Sequence, residues 1–351
     1  MKTPSVLVAM SGGLDSSLAA FLLKRDGYRV EGVTMLLNSD PSLDSKPGGS
    51  ESLKDAKQVA DYLGIEHRVL ELSKEFKEKI VAYFISEYLS AKTPNPCIYC
   101  NSIFKFGYLF DWAMGEGFDY LATGHFAAIK EAKGRLFLRK AKDRSRDQSY
   151  FLYAVDRESL SKILFPLSDY SKEELLSIAE RESIPLCRKR SSQDICFIPD
   201  NNYRNFIKGY LSQEEGDIAD LDGNILGRHK GLALYTVGQR EGLGISKGTP
   251  LYVYSIDPAN NRITVGERED LEAEGLIARS LNMFDSDLEA EVFAKIRYNH
   301  RPVRCTICKI ESGRVKVLFS QRQFAVTPGQ AVVFYRDDYL LGGGVIEEAV
   351  R

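Results

Sequence analysis

A polar string, Ser11-Gly12-Gly13-Leu14-Asp15-Ser16-Ser17, follows an apolar run at residues 6–10 and leads into Leu14, Leu18, Phe21 and Leu22 at helical spacing. That order narrows the fold sharply. A continuous apolar run reads as a strand buried on both faces, as in a parallel sheet. Two glycines then allow a tight turn and close approach of backbone to a ligand. The helix start presents free N–H groups and a positive dipole end to an anion. Ser11 and Ser16 can offer hydroxyls to phosphate oxygens, and Asp15 would orient the loop or a magnesium ion. A Gly-Lys-Ser/Thr ending is lacking, so the loop is not of the Walker type. A Gly-Gly turn alone would be plain strand-to-helix geometry; the whole string in the first β-α turn favours a phosphate loop.

The alternation continues. Residues 30–37, 67–72 and 120–123 read as strands, and Leu53, Ala56, Val59, Ala60 and Leu63 line one helix face. Residues 40–50 read as a loop. Repeated β-α units predict a doubly wound parallel sheet with ligands at the carboxyl ends of its strands. After about residue 207 glycines accumulate, and strands are expected at 251–256 and 262–265. Further strands at 291–298, 306–311, 315–319, 331–335 and 340–346 predict a small barrel. At 351 residues, several domains are expected. The division read here is an α/β catalytic domain at 1–207, a small central domain at 208–276 and a C-terminal β-barrel at 277–351.

Charge and hydropathy exclude some functions. Forty-seven Lys plus Arg against 49 Asp plus Glu rule out a uniformly basic nucleic-acid coat, though not a local patch. No apolar run approaches the ~20 residues of a membrane span. The first residues are too short an apolar core for a secretory signal, so a cytoplasmic location is expected.

Six cysteines stand at 97, 100, 187, 196, 305 and 308, too few for a disulfide scaffold in so long a chain. Cys97 and Cys100 sit in Thr93-Pro94-Asn95-Pro96-Cys97-Ile98-Tyr99-Cys100-Asn101, a C-x-x-C spacing that suits a redox pair or a metal corner. The prolines predict an extended, rigid segment there and disfavour a helix. Cys196 has apolar neighbours and by itself would read as a small buried hydrophobe. Cys305 and Cys308 form a second C-x-x-C inside the strand-rich region, where two cysteines do not complete a zinc site. Cys187 beside Arg188-Lys189-Arg190 has no assigned role.

The phosphate loop resembles that of the PP-loop ATP pyrophosphatases. Together with Thr93-Pro94-Asn95-Pro96, Cys100-Asn101, Ala122-Thr123-Gly124-His125, Asp147-Gln148-Ser149-Tyr150-Phe151-Leu152, Asp194-Ile195-Cys196-Phe197, Tyr235-Thr236-Val237-Gly238-Gln239-Arg240 and Pro328-Gly329-Gln330-Ala331, the chain resembles the tRNA-specific 2-thiouridylases of the MnmA type over essentially its full length. The resemblance implies adenylation of the C2 oxygen of a tRNA wobble uridine by ATP, then displacement of AMP by a persulfide sulfur. It makes Cys100 the nucleophile and Cys196 the persulfide carrier, joined by a transient disulfide. It places ATP, with magnesium, at Ala9, Met10, Ser11, Gly12, Gly13, Leu14, Asp15, Ser16, Met35 and Gly124. It implies tRNA contacts at Asn95, Pro96, Cys97, His125, Arg146, Asp147, Gln148, Arg297, Tyr298 and Gln330. A persulfide carrier protein or a cysteine desulfurase would supply sulfur.

Cys97 departs from the family pattern, where aspartate is common. A thiol is a poor proton carrier in its place, but three thiols at 97, 100 and 196 could hold a 4Fe–4S cluster with one iron open. Persulfide and cluster mechanisms both stay open from the sequence. Residues 130–146 carry eight Lys or Arg and two acids; this run and Arg188-Lys189-Arg190 would hold phosphates. A nitrogen-transferring PP-loop synthetase or a catalytically silent RNA-binding module are the competing readings, and the cysteine set argues against both.

Overall fold

The apolar run becomes β1 (Ser5–Ala9), the central strand of a five-stranded parallel sheet. The computed structural model describes all residues except 1–2, 39, 133, 186–194, 201, 211–213, 246–247, 286–290 and 311. Cys187, Arg188-Lys189-Arg190 and the Asp194 end of the third cysteine string therefore lie outside the described residues. Among the described residues no helix is long and apolar enough to cross a membrane.

The chain forms two compact units: Met1–Val81, Pro96–Asn201 and Asp338–Leu340 in one, Ala82–Asn95, Asn202–Asp337 and Leu341–Arg351 in the other. In the first, β1 leads through α1 (Leu14–Arg25) to β2 (Arg29–Leu36), then through α2 (Ser50–Leu63) to β3 (Glu66–Glu71). The chain returns to the other side of β1 as β4 (Tyr120–Thr123). The sheet order is β3-β2-β1-β4 with a short edge strand, Ile163–Leu164. The order reverses between β1 and β4, so the turns leaving these two strands flank the crevice where such sheets take their ligands. Val6, Val8, Leu14, Leu18, Leu22, Ala56 and Val59 fill the core on one sheet face.

Between β3 and β4 the chain makes α3 (Ser73–Phe76), a π-helical turn at Lys77–Val81, α4 (Ala82–Leu89) and α5 (Pro96–Cys100). A π-helix at Asn101–Tyr108 and α6 (Leu109–Gly115) follow. The basic run forms the hairpin β5 (Ala127–Ala132) and β6 (Arg135–Lys140). After the edge strand, β7, come α7 (Lys172–Arg181) and α8 (Tyr203–Lys208).

The second unit has two sheets. β8 (Gly216–Ala219), β9 (Ile225–His229), β10 (Tyr252–Asp257) and β11 (Arg262–Gly266) make a four-stranded sheet in the order β10-β11-β8-β9. Then come β12 (Glu272–Met283), β13 (Val292–Lys295), β14 (Val303–Ile310), β15 (Arg314–Phe324), β16 (Ala331–Arg336) and β17 (Tyr339–Val350). They run β12-β15-β14-β13-β16-β17, and β12 pairs with β17, which closes a six-stranded antiparallel barrel. Closure leaves no open edge, and Leu276, Val292, Val317, Val332 and Phe334 fill its interior. The α/β sheet, central domain and barrel expected from the sequence are all present. The strand expected to run to 298 stops at Lys295, β8 and β9 were not distinguished from the glycine-rich texture around them, and the start of β12 at Glu272 was not foreseen.

Candidate active site

The two glycines of the phosphate loop have different tasks. Gly12 has φ +69°, and a Cβ there would stand 2.2 Å from the Ser52 carbonyl oxygen. Its missing side chain is therefore space occupied by the start of α2. Gly13 is the N-cap of α1 in extended conformation, with no side-chain cap bond, and a Cβ on it would meet only Ser11 Oγ at 3.5 Å. The face left open toward an incoming anion is at Gly13. Ser16 Oγ donates to Gly13 O at 3.0 Å and accepts from Ser11 N at 3.1 Å, which ties the loop into a fixed cup. Gly124, at the end of β4, packs so that a Cβ would lie 2.7 Å from Asp15 C and Ser16 N; it lets β4 close against the loop. Met10 is buried, its N–H donating to Val33 O and its carbonyl accepting from Thr34 Oγ1. Ala9 and Met35 lie at the carboxyl ends of β1 and β2.

The cysteine segment corrects one expectation. Residues 96–100 are helical, not extended. Pro96 is the first helical residue, where a missing N–H costs nothing and the fixed φ suits the helix. Cys97 and Cys100 thus stand three apart on one helix face. Directly after Cys100 the helix widens into the π-helix at Asn101–Tyr108, a rare geometry that recurs at functional sites. Asn101 is buried, donating from Nδ2 to Phe151 O at 3.2 Å while its Oδ1 has no partner among the described residues.

Cys196 approaches this helix through aromatic packing. Phe197, beside it, meets Phe76 edge-on at 5.8 Å, and Phe76 meets Phe104 of the π-helix at 5.7 Å. All three rings are buried. The apolar neighbours of Cys196 therefore act as its anchor rather than as evidence that it is a core residue. All five described cysteines are free thiols.

Burial pushes the Cys100 thiol up to about 11, and the charge of Lys105 opposes that rise. Burial raises Cys196 as well, reinforced by Cys100 and Cys97. Cys97 is exposed, yet desolvation by the surrounding protein still raises its thiol. At neutral pH the three thiols are protonated until something activates them. Lys105, half-buried on the π-helix, is the cation that acts on all three.

A 4Fe–4S cluster requires its ligand atoms to converge on one metal-bearing group. Among the described residues no set of three His, Cys, Asp or Glu side chains does so, so the thiols as placed do not fit a cluster. Asp15 is the carboxylate of the loop, to which Lys172 Nζ donates; a magnesium ion there would be held by Asp15 together with the nucleotide's phosphates.

Several of the residues expected to contact tRNA are tied into the protein by bonds of their own. His125 is buried, bonded through Nδ1 to Thr123 Oγ1 at 2.7 Å and flanked by Phe106 and Phe165. Burial, with Lys105, holds it neutral, well below the usual histidine range. Asp147 is buried and accepts from Ala141 N, Ser149 N and Ser149 Oγ. Gln148 Oε1 accepts from Phe126 N at 3.0 Å. Arg146 is half-buried. In the preceding run Arg139 and Arg144 both pair with Asp338, Lys142 with Glu174 and Lys130 with Asp169, so much of its charge is compensated within the unit. In the second unit Gln330 Nε2 donates to Thr93 O at 2.9 Å, close in the chain to Asn95. Arg297 donates to Phe324 O, and Tyr298 lies under the Lys295 ammonium. Cys305 is buried with its thiol pushed up to about 12, whereas Cys308 is exposed; opposite faces of one strand cannot form a shared metal corner.

Sequence reasoning missed Lys172, Phe76 and Lys105. Lys172 is 157 residues from Asp15 in the chain, and no local signal marks it. Lys105 lay within reach as the cation one π-turn beyond Cys100.

The geometry defines a class: a PP-loop α/β domain carrying the half-buried thiols of Cys100 and Cys196, followed by two β-domains. Comparison with known proteins agrees. The family described as "tRNA methyl transferase HUP domain" matches residues 4–200, "tRNA methyl transferase PRC-barrel domain" 204–267 and "Aminomethyltransferase beta-barrel domain" 273–346. A protein from Clostridium botulinum (strain Loch Maree / Type A3) named tRNA-specific 2-thiouridylase MnmA 1 is 46% identical over 98% of this chain and 99% of its own. A namesake from Syntrophus aciditrophicus (strain SB) is 46% identical over 99% of this chain and 93% of its own. Another, from Caldanaerobacter subterraneus subsp. tengcongensis, is 46% identical over 99% and 98%. The chain belongs to the tRNA-specific 2-thiouridylase (MnmA) family.

Proposed function

We propose that this protein is an ATP-dependent tRNA sulfurtransferase that converts the wobble uridine to 2-thiouridine through Cys196 and Cys100. The observation that carries the reading is that Cys100 and Cys196, distant in sequence, lie in the same unit as an uncapped phosphate loop, their segments held together by the Phe197–Phe76–Phe104 contacts.

ATP binds at the Gly13 face of the loop, where first-turn N–H groups and the Ser11 and Ser16 hydroxyls meet its phosphates. The C2 oxygen of uridine attacks the α phosphorus, and pyrophosphate leaves with the electron pair of the broken P–O bond. A persulfide on Cys196 attacks C2 with its terminal sulfur, and AMP departs. The Cys100 thiolate then attacks Cys196 Sγ. The S–S bond breaks toward the transferred sulfur, leaving 2-thiouridine and a Cys100–Cys196 disulfide. A persulfide carrier protein or cysteine desulfurase reloads Cys196 after a dithiol has reduced the pair. Lys105 stabilises the thiolates that burial opposes. Asn95, Pro96, Cys97, His125, Arg146, Asp147, Gln148, Arg297, Tyr298 and Gln330 are assigned to tRNA. Nucleotide and thiol chemistry belong to 1–207, with 208–276 and 277–351 as the β-domains.

The test supplies purified protein with ATP, tRNA and a persulfide donor and analyses nucleosides by mass spectrometry. One AMP and one pyrophosphate should accompany each 2-thiouridine. Cys100→Ser and Cys196→Ser should abolish 2-thiouridine while pyrophosphate release persists. Multiple turnovers in either variant would remove that cysteine from the mechanism, and nitrogen in place of sulfur would favour a PP-loop synthetase.

A further inference from the structure

Lys172 stands at the phosphate loop without belonging to any of the sequence strings. It is the first residue of α7, and its ammonium pairs with Asp15 in the first turn of α1. The pair is largely sheltered, with 12% and 28% of the two side chains exposed. Its backbone is fixed independently of that contact. Ser171 and Glu174 form a complete capping box, and Lys172 N donates to Asp143 Oδ2 at 3.0 Å. Asp143 is itself held ionised below the usual carboxylate range by Ser145, Arg146 and Lys172 donors that outweigh its burial. Lys142 pairs with Glu174 on the same helix start. These contacts satisfy the α7 N-terminus, so the Lys172 ammonium is the charge that α7 extends to the loop.

Asp15 poses an electrostatic difficulty that this arrangement resolves. A carboxylate in the first turn of α1 would repel the phosphates its helix end attracts. Paired with Lys172 it is neutralised, and a lysine ammonium on four rotatable bonds can turn from a carboxylate to a phosphate beside it. The departing pyrophosphate gains charge as the P–O bond breaks, whereas AMP keeps a smaller share.

We propose that Lys172 is the pyrophosphate-binding cation of the adenylation step, held at the loop by Asp15 until ATP arrives. The inference deepens the ATP-dependent reading and rests on it.

The test is competitive binding of ATP, pyrophosphate and AMP to the full chain, wild type against Lys172→Met, Lys172→Arg and the double variant Asp15→Asn/Lys172→Met. The double variant removes the uncompensated carboxylate that could unfold Lys172→Met. Loss of one charge-assisted contact should weaken ATP and pyrophosphate about 10–100-fold in Lys172→Met and in the double variant, with AMP within about threefold. Lys172→Arg should retain pyrophosphate within about threefold. If the double variant binds pyrophosphate like wild type, Lys172 only neutralises Asp15 and the proposal falls. It also falls if AMP weakens as much as pyrophosphate. Wild-type protein that binds neither ATP nor pyrophosphate would instead refute the ATP reading itself.

Discussion

Replacing Gly12 with alanine should damage the fold more than the chemistry, the reverse of what a glycine in a phosphate loop suggests. At φ +69° an L-residue pays about 1–2 kcal/mol for the left-handed conformation. The added Cβ would lie 2.2 Å from Ser52 O and 2.7 Å from Ser52 Cα, so the α2 start or the loop must move by a large part of an ångström. Overpacking of that kind costs about 1–3 kcal/mol. Together they give roughly 2–5 kcal/mol. Gly13→Ala meets no such obstacle and should cost about 1 kcal/mol or less as a poorer N-cap. Trp112, the single tryptophan, belongs to the same unit as the loop, so its fluorescence follows that unit through urea unfolding. At about 2 kcal/mol per molar urea, the Gly12→Ala midpoint should fall by roughly 1–2.5 M. Gly13→Ala should keep a near-native midpoint and lose ATP affinity. Equal midpoints for Gly12→Ala and wild type, or an equal fall in Gly13→Ala, would refute this division of roles.

Phe76→Leu should slow sulfur transfer more than pyrophosphate release, because Phe76 links the Cys196 loop to the π-helix after Cys100; equal losses measured by nucleoside analysis and phosphate assay would contradict that. With its pKa raised to about 11, Cys100 should be alkylated faster as pH rises through 9, levelling only near 11; a plateau by about pH 8 would contradict the burial described. The same shift has a stability sign: the folded chain holds that proton more tightly than the unfolded one, so its contribution is full below pH 9 and lost as pH rises through 11. Cys305→Ser should leave 2-thiouridine formation unchanged per folded molecule, with any loss confined to barrel stability.

What the sequence revealed was local. The phosphate loop is legible because strand, turn and helix start are consecutive, and the barrel because strand signals recur along the chain. Cys97 and Cys100 were found but put on an extended segment, since two prolines were weighed as helix breakers when Pro96 is a favourable first residue. The basic run was read by composition as a phosphate-holding surface. Its partners Asp338, Glu174 and Asp169 are distant in sequence, so the compensation was invisible. Asp147, read as a tRNA contact, accepts from Ala141 N, Ser149 N and Ser149 Oγ, bonds that only the folded hairpin shows. Lys172 meets Asp15 by tertiary packing alone.

The central claim is that Cys100 frees sulfur from Cys196 by forming a disulfide with it. The direct measurement is a single turnover without reductant: protein preloaded with persulfide sulfur is mixed with ATP and tRNA, quenched with an alkylating reagent, digested and mapped by mass spectrometry. One peptide pair joined through Cys100 and Cys196 should appear for each 2-thiouridine formed, and none when ATP is omitted. If 2-thiouridine accumulates while both cysteines remain fully alkylated, the sulfur leaves by another route and the account is wrong.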